Sequence, residues 1–141
     1  MSIFSSMNIS ASGLTAERLR LDTIANNLAN INTTRTAQGG PYRRQTLVFT
    51  EKLEKAIGAR EKFRGAGVEV AEIRRDQGEP RRVYDPTHPD AGDDGYVHYP
   101  NINIVNEMVD MITATRAYEA NITAINAAKT MALKALEIGR G

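Results

Sequence analysis

The chain has 141 residues and a mass of 15.5 kDa, room for one domain or for a small domain with long appendages, which excludes a multidomain enzyme. Eighteen Lys and Arg against seventeen Asp and Glu leave a net charge of +1, so the total carries no signal for nucleic acid or an acidic substrate. Cysteine is absent, which removes disulfide scaffolds, thiol catalysis and thiolate metal sites.

The charge is unevenly placed. Residues 1–31 carry two cations and two anions, residues 32–100 twelve and eleven, and residues 101–141 four and four. All five prolines and eight of the eleven glycines also lie in the middle. The expected division is therefore an N-terminal helical segment (1–34), a β-rich or loop middle (35–100) and a C-terminal helical segment (101–141). The start, Met1 to Gly13, has no basic n-region and no continuous apolar run, so no secretory signal peptide is expected. No stretch approaches the ~20 apolar residues of a membrane span.

In the first segment Leu14, Leu21 and Leu28 recur every seven residues, with Ala11, Ile24, Ala25 and Ile31 between them. This spacing predicts a helix over 7–31, roughly 37 Å long. Gly13 is expected to weaken it locally, by about 1 kcal/mol relative to Ala. Its back carries Ser5, Ser6, Asn8, Ser10, Ser12, Asn26, Asn27 and Asn30 rather than Lys and Glu.

In the middle, Tyr42 to Thr50 and Val68 to Ile73 are short runs rich in β-branched and aromatic residues. Gly39-Gly40-Pro41 and Gly65-Ala66-Gly67 bound them and predict turns. Val83-Tyr84 and Tyr96 to Tyr99 suggest two shorter strands. Glu51 to Ile57 reads equally as a helical turn or as a continuation of the first strand. Asp85 to Gly95 is turn-forming throughout, because proline fixes φ and Asp and Gly supply turn conformations.

The last segment predicts a helix over 104–138, roughly 52 Å long. Ile104, Met108, Met111, Thr115, Tyr118, Ile122, Ile125, Lys129, Ala132 and Leu136 follow alternating three- and four-residue steps. Asn103 fits an N-cap, Glu107 and Asp110 suit the positive helix start, and Lys134, Gly139 and Arg140 suit the end. The fold expected is mainly α with a small β-rich insertion, the long terminal helices paired as a coiled-coil-like unit. Between Met111 and Leu133 only Arg116, Glu119 and Lys129 are charged, fewer than a solvated outer face normally carries. An ordinary two-helix hairpin is one account; packing against further helices from other subunits is the preferred one.

Little in the chain points to chemistry. Asp85, His88, Asp90, Asp93 and Asp94 offer oxygen and imidazole ligands, but the EF-hand alternation fails and its closing Glu falls at Asn101, leaving solvated turn carboxylates as the plainer account. Gly65-Ala66-Gly67 lacks the third glycine of GxGxxG and the Walker lysine. Arg43-Arg44, Arg74-Arg75 and Arg81-Arg82, with Lys62, Arg64, Tyr42, Phe63 and Tyr84 nearby, suit phosphates and stacked bases. Eleven carboxylates share that segment, so solvated faces and ion pairs compete with a nucleic-acid module. No catalytic residue, cofactor loop or metal set is assigned, and no enzyme is expected.

Ser12-Gly13-Leu14 followed by Leu21 to Thr33 (LDTIANNLANINT) resembles the N-terminal signature of bacterial flagellar rod and hook proteins. Glu107 to Asn121 (EMVDMITATRAYEAN), closing in Lys134 to Gly139, is similar to the paired C-terminal signature. Tyr84 to Asp90 and Gly95 to Asn103 resemble the proximal rod subgroup. The turn Thr-x-Gly-(Tyr/Phe), shared by the distal members, is replaced by Gly39 to Arg44, and sixty-nine middle residues are too few for a distal rod or hook protein. The resemblance implies a structural subunit of a helical tube that transmits motor torque and encloses an export channel. It implies export by the flagellar type III apparatus without a cleaved signal, placing the chain in the rod of the basal body. The partners implied are copies of the chain, the rod proteins FlgB, FlgF, FlgG and FliE, and the MS-ring protein FliF, with no nucleic acid and no membrane insertion. Assembly contacts are expected at Leu14, Leu21, Ile24, Asn26, Asn27, Leu28 and Asn30 in the first helix. In the second they are expected at Met108, Met111, Ile112, Arg116, Tyr118, Glu119, Asn121, Ile122 and Ile125.

Overall fold

Two long helices, α1 (Ile3–Ala29) and α2 (Ile104–Arg140), flank in sequence four strands, β1 (Gln45–Lys55), β2 (Phe63–Arg75), β3 (Arg81–Tyr84) and β4 (Tyr96–Tyr99). The structure is a computed structural model that describes residues 2–55 and 63–141. The expected helices are both present. α1 begins four residues earlier than the spacing predicts, because Ser2 caps it, its side chain accepting a hydrogen bond from the Ser5 N–H at 3.1 Å. It ends at Ala29 rather than Ile31, where Asn30 turns its backbone N–H back to the Asn26 carbonyl. The Asn103 cap of α2 accepts from the N–H groups of Val105 and Asn106 at 2.9 and 3.3 Å. The 37 residues of α2 make about 55 Å of helix and the 27 of α1 about 40 Å.

The helices lie antiparallel. Gly13 of α1 abuts Asn121 of α2, and Asn27 of α1 reaches Glu107 of α2, so both helices advance fourteen residues between the two contacts. The layer between them is made of small side chains: Ala16, Ala114 and Ala128 are buried there with Ile24. This differs from the seam expected from the large apolar residues. Met111, Tyr118, Ile125 and Ala132 do turn inward and are half-buried, but the other half of the contact line is Glu107, Ala114, Asn121 and Ala128. Ile104, Met108, Ile122 and Leu136 face outward. Small residues let two helix axes approach closely, which leaves the bulky side chains for the outer face.

Gly13, whatever it costs in helix propensity, is also a contact between the helices. A Cβ there would come within 2.9–3.1 Å of the Asn121 side chain.

β1 and β2 form an antiparallel ribbon running from Gln45 opposite Arg75 to Lys55 opposite Phe63. The first strand starts at Gln45 rather than Tyr42, because Tyr42 donates its N–H to the Thr33 carbonyl at 3.1 Å instead of to a strand. Glu51 continues the strand through Lys55; Ala56 and Ile57, like Lys62, lie outside the described residues. Gly65-Ala66-Gly67 is not a turn. It lies inside β2, where the register shifts between Glu51 and Leu53, a bulge that bends the ribbon. Gly67 has φ +112°, and a Cβ on it would run into the Ser12 hydroxyl. The Val68 N–H donates to that hydroxyl at 3.1 Å, so the bulge lays β2 against α1. β3 and β4 make a second antiparallel pair whose Val97 is fully buried.

Candidate assembly surface and the joint beneath it

Where the chain leaves α1, enters β1 and later starts α2, five side chains close a polar joint. The Asn27 amide Nδ2 donates to the Gln45 carbonyl at 2.8 Å and to Glu107 Oε2 at 3.2 Å. Its Oδ1 accepts from the Gln45 N–H at 2.9 Å and from the Tyr42 hydroxyl at 3.0 Å. Glu107 is completely buried, and Arg44 pairs with its other oxygen. Arg44 also reaches Asp110 at 3.3 Å. Each polar group of Asn27 is thus matched, as a buried amide requires. Loss of solvent and the nearby Glu107 charge push the Tyr42 phenol above its usual 10.0, with Arg75 acting the other way.

The Pro-rich loop is tied to the same end of the molecule. Asp90 accepts from the Thr34 hydroxyl at 2.8 Å and pairs with Arg35 at 2.9 Å. His88 Nδ1 accepts from the Asp90 N–H at 3.0 Å, and its ring meets Tyr99 edge-on. Asp85 holds Thr87 through both its hydroxyl and its N–H, which keeps the Asp85 carboxyl below the usual range. Asp94 is likewise lowered, first by the Tyr96 N–H it accepts and then by Arg82. Among the described residues no group of three acidic or imidazole side chains gathers to hold a metal ion.

The paired arginines are engaged inside the chain. Arg43 bonds the Gly78 carbonyl, Arg44 the two helix carboxylates, Arg74 Glu72, and Arg75 the Gln38 side chain. Arg81 lies over the Tyr99 ring and Arg82 over Tyr96 while pairing with Asp94. The side chains of Phe63 and Arg64 lie outside the description.

The residues expected to make assembly contacts separate into two sets. Ile24 and Asn27 are buried between the elements of the chain itself, with Leu14, Leu21, Leu28, Asn30, Met111, Tyr118, Asn121 and Ile125 half-buried along the same contact. Asn26, Arg116 and Glu119 are exposed, as are Met108, Ile112 and Ile122. Around the exposed set the structure adds Ile104, Val105 and Val109, so that one side of the first turns of α2 is an apolar face 52–67% exposed. Beyond the start of α1, Leu133, Leu136 and Ile138 continue uncovered, Ile138 at 82%. Among the described residues no helix is long and apolar enough to cross a membrane. In the sequence Glu107 marks a helix-start charge and the start of the C-terminal signature, and Arg44 one of an arginine pair, but nothing there joins the two. The signal available was that Glu107 lies a heptad from Ala114, inside the line of small residues.

Two family models match the chain: "Flagella basal body rod protein" over residues 7–35 and "Flagellar basal body rod FlgEFG protein C-terminal" over residues 93–138. Curated relatives named flagellar basal-body rod protein FlgC match over nearly their full lengths. That of Borreliella burgdorferi is 48% identical with 100% of both chains covered. Those of Bacillus subtilis and of Escherichia coli O157:H7 are 45% and 38% identical, each covering 99% of this chain and 100% of the relative.

Proposed function

Because the chain belongs to the flagellar basal-body rod protein family and is a structural subunit of the bacterial basal-body rod, we propose that it occupies the proximal part of that rod. Its terminal segments, 1–34 and 101–141, form the wall of a helical tube, and residues 35–100 brace that wall. The tube transmits motor torque and encloses the channel through which unfolded subunits are exported. The chain reaches the rod through the flagellar type III apparatus without a cleaved signal and performs no catalysis. Its neighbours are copies of itself, FlgB, FlgF, FlgG and FliE, with the MS-ring protein FliF at the base.

The observation that carries this reading is the apolar face of α2. Ile104, Val105, Met108, Val109 and Ile112 are 52–67% exposed. A contiguous uncovered apolar face marks a protein contact. At roughly 25 cal/mol per Å² of apolar area, covering five such side chains stabilises an interface by several kcal/mol. A charged residue at Ile112 or Leu28 is expected to abolish rod assembly and motility. Cryo-electron microscopy of purified basal bodies tests the placement directly: density for α1 and α2 in the proximal wall is expected, and a chain found outside the tube overturns the reading.

A further inference from the structure

Two helices whose contact line repeats every seven residues, half of it in small side chains, have more than one alignment open to them. Along α2 one half of the line turned toward α1 is Glu107, Ala114, Asn121 and Ala128 and the other half Met111, Tyr118, Ile125 and Ala132, both in steps of seven. Sliding α2 by one heptad would put Ala114 or Ala128 where Asn121 now meets Gly13, a position either alanine fits. A seven-residue repeat keeps such slipped pairings on the same seam. What does not repeat is the end near β1. There the fully buried Glu107 meets Asn27 at 3.2 Å and Arg44, and Asn27 holds the Gln45 backbone through both its donor and its acceptor. The slip of one heptad that brings Ala114 to Asn27 would leave Asn27 facing alanine and Glu107 without Arg44. A buried charge stripped of its partner is among the costliest defects a fold can carry.

We infer that Asn27, Glu107 and Arg44 are positioning residues that set the register of the two terminal helices, selecting one of the heptad alignments that the repeat allows. Because Asn27 also grips β1, the strand ribbon is fixed in the same alignment. Apolar residues in these positions would pack well but would not discriminate, as a single buried Asn does in coiled coils. That the register then sets the stagger of the surface offered to neighbours rests on the assembly reading above; the register itself does not.

The chain contains no cysteine, so engineered pairs report alignment without background. The test fixes Asn121→Cys and combines it in turn with Gly13→Cys, the native alignment, and with Ser6→Cys or Arg20→Cys, one heptad to either side. Intrachain disulfide formation is followed by mass and gel mobility on the full-length chain, diluted to monomer. With the joint intact, the 13–121 bond is expected to form at least ten-fold faster than 6–121 or 20–121. Asn27→Leu with Glu107→Leu is expected to bring a slipped pair to within about two-fold of the native one, with helix content by circular dichroism retained. Glu107→Gln alone, which keeps an acceptor for the Asn27 amide, is expected to keep the native preference. A leucine variant that still crosslinks only at 13–121 overturns the inference. Loss of all three crosslinks together with the helix also overturns it, since the joint would then be needed to fold at all rather than to choose. Because the readout is intrachain and monomeric, a failure to assemble into rods leaves it unaffected.

Discussion

At the residue scale the stability of the joint turns on one charge. Glu107 is buried and held by Arg44 and Asn27, while Arg44 is 28% exposed and keeps Asp110 as a second partner. Removing the carboxylate therefore strands Asn27 more than Arg44. Glu107→Ala is expected to cost about 3 kcal/mol, the low end for breaking a buried pair, measurable by urea denaturation. Tyr42 gives a pH signature. Its folded-state pKa is raised above 10.0 by burial and by Glu107. The unfolded chain thus ionises first as the solution becomes alkaline. The stabilisation from the neutral phenol is complete below pH 10 and is lost as the pH rises from there through the folded value. Tyr42→Phe is expected to lose about 1 kcal/mol at neutral pH, one hydrogen bond to Asn27. It should also flatten that part of the alkaline loss in denaturation curves taken either side of pH 10.

At the element scale two glycines decide how parts approach. In α1, Gly13→Ala would gain about 1 kcal/mol of helix propensity, but the new Cβ meets the Asn121 side chain at 2.9–3.1 Å. Asn121 is a movable side chain, so the two effects nearly offset and little change in melting temperature is expected. Gly13→Leu adds bulk the layer cannot take and is expected to destabilise by about 1–3 kcal/mol. In β2, Gly67 stands at φ +112° with Ser12 in the way of any side chain. Gly67→Val should lift the ribbon from α1, seen as faster amide exchange at Val68, whose N–H bonds the Ser12 hydroxyl.

The whole molecule is open. It exposes 10375 Å², where a compact monomer of this mass would expose about 7,200 Å², and the excess is of the order a stable interface buries on assembly. Its buried apolar residues among those described are Ala16, Ile24, Val97, Pro100, Ala114 and Ala128, mostly small groups that contribute little each. Hydrogen exchange on the monomer is therefore expected to decline outward from the joint. Protection should be highest around Asn27 and Glu107 and nearly absent over Leu133–Arg140, which extends beyond the start of α1, because helices without tertiary packing are marginal. In the assembled rod the same segment should become protected. Uniform strong protection in the monomer would contradict a chain completed by its neighbours.

The extent of both helices, the Asn103 cap, the approximate strands and the two terminal signatures were legible in the sequence. Periodicity, capping and β-branched runs are local, and each is written within one segment of chain. The inward face of α2 was not, because the spacing of large apolar residues marks two faces of a helix destined for several partners and does not say which one the chain covers itself. Nor was the joint, since Asn27 and Glu107 stand 80 residues apart and Arg44 and Glu107 63. Local chemistry alone determined that there would be two long, sparsely charged helices around a charged β insertion. Tertiary structure decided that they meet through alanine and glycine with a buried carboxylate at one end, because only packing can tell a small residue that allows close approach from one that merely fills a surface.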